Sequence, residues 1–106
     1  MNFTHLDAPT LNQWFKEESS LNVVDIRDPM SYETGHITGS SRLDNINLST
    51  FIAEVDKTIP VVVVCYHGNS SQGAAAYLAE QGFETVYSLD GGFTEWQNRY
   101  PDSVSS

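Results

Sequence analysis

The chain reads as an α/β domain built on a parallel sheet. Short β-branched runs alternate with helix-patterned stretches along its whole length. The two strongest runs, Leu21 to Ile26 and Pro60 to Cys65, are nearly continuous in apolar residues, as strands covered on both faces must be. A chain of 106 residues, 40% of them hydrophobic, fills one such core and leaves little room for a second. Residues 1–106 are therefore expected to form a single α/β/α unit around a five-stranded parallel sheet.

Each element has a local reason. Phe3 to Leu6 predicts a short first strand. Asp7 can then cap a helix, because its carboxylate can accept the free N–H groups of the first turn, and Leu11, Trp14 and Phe15 share one face. Leu21 to Ile26 predicts the second strand. Asp28-Pro29 supplies a cap and a first-turn proline for a short helix ending near Glu33. Ser40 to Leu43 can add another strand, and Asn47 or Ser49 can start a helix carrying Leu48, Phe51, Ile52 and Val55. After the valine strand, Ser70 or Ser71 opens an alanine-rich helix closed by Gly82. Glu84 to Leu89 predicts the last strand, and Gly91-Gly92 leads into a helix from Phe93 to Tyr100 that buries Phe93 and Trp96. Asp90 is placed to cap that helix, Pro101 ends it, and Asp102 to Ser106 reads as a frayed tail.

Composition narrows the function. Fourteen acidic residues against five basic ones give a net charge of -9, which repels a nucleic-acid backbone or an anionic membrane. No apolar run approaches the roughly 18 residues of a membrane span, and Met1 to His5 lacks the pattern of a signal peptide, so a cytoplasmic protein is expected. Cys65 is the single cysteine; it cannot form an intramolecular disulfide, and no metal cluster or nucleotide-binding glycine motif is present. No metal or cofactor is expected.

Cys65 stands where the valine strand gives way to a glycine-containing loop and then a helix. That is the carboxyl end of the sheet, where α/β proteins build sites. Backbone N–H groups of Tyr66, His67, Gly68, Asn69, Ser70 and Ser71 can converge on one point, and the helix start adds its positive end. A thiolate at Cys65, and an anion beside it, would both gain. Gly68 permits the backbone turn, and Ser70 and Ser71 offer hydroxyls. Read blandly, Cys65 is a small core residue finishing a strand, but the small polar residues that follow argue for exposure. His67 fits a general acid–base or a solvated loop histidine equally, and Tyr66 suits a pocket wall. A tyrosine-phosphatase loop needs arginine six positions after its cysteine, where this chain has Ser71, so phosphate chemistry is disfavoured. One thiolate without a resolving partner can still attack a sulfur atom and hold it as a persulfide.

With two further segments, this loop resembles the rhodanese family of sulfurtransferases over nearly the whole chain. The first segment is Val23 to Ser40, with Asp25-Ile26-Arg27 and the turn Gly35-His36-Ile37; the second is Val86 to Trp96, with Asp90-Gly91-Gly92. The resemblance implies a rhodanese-like fold and a thiosulfate sulfurtransferase in which Cys65 takes the outer sulfur of thiosulfate. Sulfur would pass on to cyanide or to a thiol or dithiol acceptor such as thioredoxin. The family's six-residue loop maps onto Cys65 through Ser70, whereas phosphatase and arsenate-reductase relatives have a loop one residue longer.

Many rhodaneses hold a basic residue in this loop, yet no lysine or arginine lies between Lys57 and Arg99 here. Donor binding then falls to backbone N–H groups, the helix end and serine hydroxyls, which predicts a high KM. Missing loop charge also suits a sulfur relay fed by a protein persulfide. A non-catalytic binding module is the further alternative, opposed by the retained Cys65. Arg27 reads as a structural partner of Asp25, Asp28 or Glu33, and His36 as a hydrogen-bonded structural histidine.

Overall fold

The computed structural model describes residues 2–106. The strand β1 (Thr4–Leu6) leads into α1 (Ala8–Lys16), whose first turn is capped by the Asp7 carboxylate accepting from the Thr10 N–H at 2.9 Å. Next come β2 (Asn22–Asp25) and α2 (Pro29–Thr34), capped by Asp28, then β3 (His36–Ile37), β4 (Ser41–Arg42) and α3 (Leu48–Glu54). The chain continues through β5 (Val61–Val64), α4 (Ser70–Glu80), β6 (Val86–Leu89) and α5 (Gly92–Arg99). It ends in a short 3₁₀ turn, Pro101–Ser103, and β7 (Val104–Ser105). No helix among the described residues is long and apolar enough to cross a membrane.

Five strands form the expected parallel sheet in the order β1-β6-β5-β2-β4. Alternation along β5 divides the core. Val62 and Val64 point to the layer of α1 and α5, with Leu11, Phe93 and Trp96, while Val61 and Val63 point to the layer of α3 and α4, with Ala75 and Leu78. All four valines are fully buried, which is why this run reads so clearly as a central strand. The chain leaves β2 toward β4 on one side and leaves β5 toward β6 on the other. A crevice opens where those directions diverge, at the carboxyl ends of β2 and β5.

Two expectations need correction. Asp102 to Ser106 was expected to fray, but β7 pairs antiparallel with β3. The Thr38 N–H donates to the Ser103 carbonyl at 2.9 Å, and the Trp96 indole N–H donates to the same carbonyl at 3.2 Å. Two-residue strands carry too little pattern to be seen in sequence, and these partners lie far apart along the chain. Asp90, expected to cap α5, instead pairs with His5 at 2.7 Å; the cap position belongs to Gly91, which makes no side-chain cap. Deleting residues 101–106 is expected to cost about 2 kcal/mol from these lost hydrogen bonds. A urea midpoint unchanged by the deletion would show that the pairing adds nothing.

Candidate active site

Cys65 follows the central strand directly, so its backbone is as fixed as the sheet. The residue is 4% exposed, so the exposure that its small polar neighbours argue for is not found: the loop folds over the cysteine and buries it. The Gly68 N–H donates to Sγ at 3.1 Å and the Ser71 N–H at 3.2 Å, while Ser71 Oγ lies 3.2 Å from the same sulfur. Burial pushes the Cys65 thiol up, but the hydrogen bonds from the Ser71 hydroxyl and from the Ser71, Gly68 and His67 N–H groups outweigh it. The net effect holds the thiol below its ordinary value.

The start of α5 orients this cradle. The Phe93 N–H donates to the Cys65 carbonyl at 2.8 Å and the Thr94 N–H to the Tyr66 carbonyl at 3.0 Å. Within a planar trans peptide the next N–H points the opposite way, so the His67 N–H is turned from α5 toward Sγ. Such close approach needs glycine. Gly91 and Gly92 have φ of 77° and 58°, and a Cβ at Gly92 would stand 2.5 Å from the Tyr66 carbonyl oxygen and closer still to that of Cys65. Gly68, at φ 90°, faces the Gly91 nitrogen and the Leu89 carbonyl and has no room for a side chain either.

The expected binding residues separate into two groups. His67, Asn69 and Ser70 stand exposed on the rim, with Tyr66 beside them. The Tyr66 hydroxyl donates to the Asp28 carboxylate and lies 2.6 Å from Ser31 Oγ, tying the loop to the start of α2. Those bonds, the one from Tyr66 foremost, hold Asp28 down at about 2, so an anionic carboxylate borders the site. Ser71 lies inside. It is fully buried beneath the sulfur, and its hydroxyl meets Ser88 Oγ at 2.8 Å.

Arg27 is committed to structure, as expected, with Asp25 as its partner. Its Nε lies 3.0 Å from both Asp25 oxygens, Nη2 donates to Asp25 Oδ2 at 2.8 Å, and Nη2 also donates to the Gly35 carbonyl at 2.6 Å. The guanidinium covers the Phe93 ring at 4.1 Å. His36 stacks on Tyr32 at 3.9 Å and shares a 2.8 Å hydrogen bond with the Tyr32 carbonyl. Two clefts, of about 580 and 440 Å³, share Arg27 and Asp28 as a wall, and the smaller is also lined by Tyr66 of the loop.

The Rhodanese-like domain family matches residues 7–99. The chain belongs to the rhodanese family. A relative from Pseudomonas fluorescens named Thiosulfate sulfurtransferase GlpE is 54% identical over 98 residues, covering 92% of this chain and 89% of its own. Another of that name, from Pseudoalteromonas translucida, is 52% identical and covers 98% of both chains. Among solved structures, the rhodanese-like domain of an Anabaena protein superposes with a TM-score of 0.81 at 26% identity, covering 91% of this chain and 74% of that one. The rhodanese fold and the family resemblance read from the three motifs are thus both borne out.

One residue of this rhodanese site escaped sequence reading. Ser88 sits two positions after Val86 on the core-facing side of β6, fully buried. A hydroxyl in an otherwise apolar stripe is the signal that would have found it.

Proposed function

We propose that the protein is a thiosulfate sulfurtransferase whose nucleophile is Cys65, and that residues 1–106 act as one rhodanese domain in the cytoplasm. The observation that carries this reading is the pair of neutral backbone donors, the Gly68 and Ser71 N–H groups, converging on Sγ. They stabilise an anionic sulfur without a cation. The names of relatives above 50% identity support thiosulfate as the donor.

The Cys65 thiolate attacks the outer sulfur of thiosulfate. A new S–S bond forms, the S–S bond of thiosulfate breaks, and sulfite leaves with the bonding electron pair. The persulfide anion carries the charge the thiolate had, so the same donors can hold it. Cyanide then attacks the outer sulfur, thiocyanate leaves, and the thiolate returns. A dithiol such as reduced thioredoxin would instead take the sulfur on one thiol and expel hydrosulfide with the other, becoming a disulfide. The exposed rim of Tyr66, His67, Asn69 and Ser70 is the surface that meets the incoming donor and acceptor.

Intact mass after mixing with thiosulfate is expected to rise by one sulfur atom, to return on adding cyanide, and to stay unchanged in Cys65→Ser. No adduct with thiosulfate or with a protein persulfide would sink the enzymatic reading, whereas an adduct with the protein persulfide alone would establish the relay.

A further inference from the structure

Ser71 and Ser88 form a pair of hydroxyls sealed from solvent, each with no exposed surface. Ser88 Oγ lies 2.8 Å from Ser71 Oγ, and Ser71 Oγ lies 3.2 Å from Cys65 Sγ. Among the described residues, the Ser88 hydroxyl has no hydrogen-bond partner except Ser71. Each hydroxyl carries one hydrogen, and a buried hydrogen without an acceptor is costly. That bookkeeping decides the direction of the chain. If Ser71 donated to Ser88, the Ser88 hydrogen would have nowhere to go. If Ser88 donates to Ser71, the Ser71 hydrogen is left for the sulfur.

We propose that Ser88 is a positioning residue that turns the Ser71 hydroxyl hydrogen toward Cys65 Sγ, wiring the site for an anionic sulfur. Every hydrogen in the run Ser88 to Ser71 to Sγ is satisfied only when the sulfur accepts. A neutral thiol would bring a further hydrogen with no acceptor of its own except Ser71. The arrangement therefore favours both the thiolate and the persulfide anion, and it deepens the nucleophilic role proposed for Cys65, on which it rests. Charged and titratable groups on the surrounding elements are engaged elsewhere or exposed. Asp28 is bound by Tyr66 and Ser31, Arg27 by Asp25, and Asp90 by His5, while His67 stands on the rim. None of these side chains is hydrogen-bonded to Sγ, so the direction of the two serine hydroxyls is not set by a neighbouring charge.

The test is the pH profile of Cys65 alkylation by iodoacetamide in the full chain, with thermal melting to confirm folding. Ser88→Thr keeps the hydroxyl and Ser88→Val has the same shape without it. The threonine variant is expected to keep the wild-type midpoint. The valine variant is expected to raise it by about one pH unit, a loss of about tenfold in alkylation rate below the midpoint. Ser88→Ala serves in the same comparison should the branched side chains not fold. In a Ser71→Ala background, removing the Ser88 hydroxyl is expected to have no further effect, because the hydroxyl it steers is gone. Coincident midpoints for Ser88→Thr and Ser88→Val would overturn the proposal, as would an undiminished shift in the Ser71→Ala background. Alkylation uses no thiosulfate, so these outcomes are read independently of whether Cys65 takes up sulfur.

Discussion

Gly92→Ala is expected to lower kcat/KM for thiosulfate by about 100-fold or more, the scale seen when a preorganised donor to a reacting anion is lost. The added Cβ would meet the carbonyl oxygens of Cys65 and Tyr66, and Gly92 already holds a left-handed φ of 58° that alanine resists. To relieve the overlap the two peptides must move off the N–H groups of Phe93 and Thr94. The His67 N–H then turns away from the sulfur, and the alkylation midpoint of Cys65 is expected to rise with the loss of rate. Gly73→Ala is the control. It lies within α4, nothing stands within 4 Å of its added Cβ, and a small gain in stability is expected from helix propensity. A Gly92→Ala protein with wild-type kinetics would show that α5 does not set the loop.

The second large effect is on stability. Arg27→Met is expected to cost about 3–5 kcal/mol, because it leaves the Asp25 carboxylate buried without its charge partner. The Asp25 and Arg27 side chains are 0% and 3% exposed, so water cannot replace the lost bonds. The same substitution removes the donor to the Gly35 carbonyl and the cation over Phe93, in the first turn of the helix that holds the loop. Asp25→Asn combined with Arg27→Met removes both charges and is expected to cost less than Arg27→Met alone. Urea denaturation of the variants measures both costs; equal losses would mean that the charge left on Asp25 is not what destabilises the single variant.

Most of the sheet was legible in the sequence because its strands announce themselves by composition. Four consecutive valines have few homes other than a strand buried on both faces, and Asp7 and Asp28 cap their helices through contacts three residues away, a range that sequence shows well. A local acidic partner for Arg27 was legible for the same reason, though the sequence left Asp25, Asp28 and Glu33 open and the fold selects Asp25. What stayed hidden depends on distant partners. Asp90 looks like a cap until His5 appears beside it, and the two strands of the β3 and β7 ribbon are too short to carry a pattern. At the site, the sequence located the cysteine proposed as nucleophile and the loop that wraps it. It could not show which loop residues face inward, so Ser70 and Ser71 read alike as hydroxyls on offer when Ser71 alone is buried under the sulfur, and Ser88 was not seen at all.

The central position of β5 also governs how the cysteine is reached. Val61 to Val64 are hydrogen-bonded to β2 on one side and β6 on the other, and both faces are covered. Such a segment opens to solvent only when the whole domain opens, while loops and termini fluctuate far more easily. Cys65 is attached to that slowest-opening part of the molecule. Reagents therefore meet its sulfur through the loop in the native state, not through breathing of the strand beneath it. Under native conditions, the reactivity of this thiol reports the chemistry of the cradle and not the looseness of the fold.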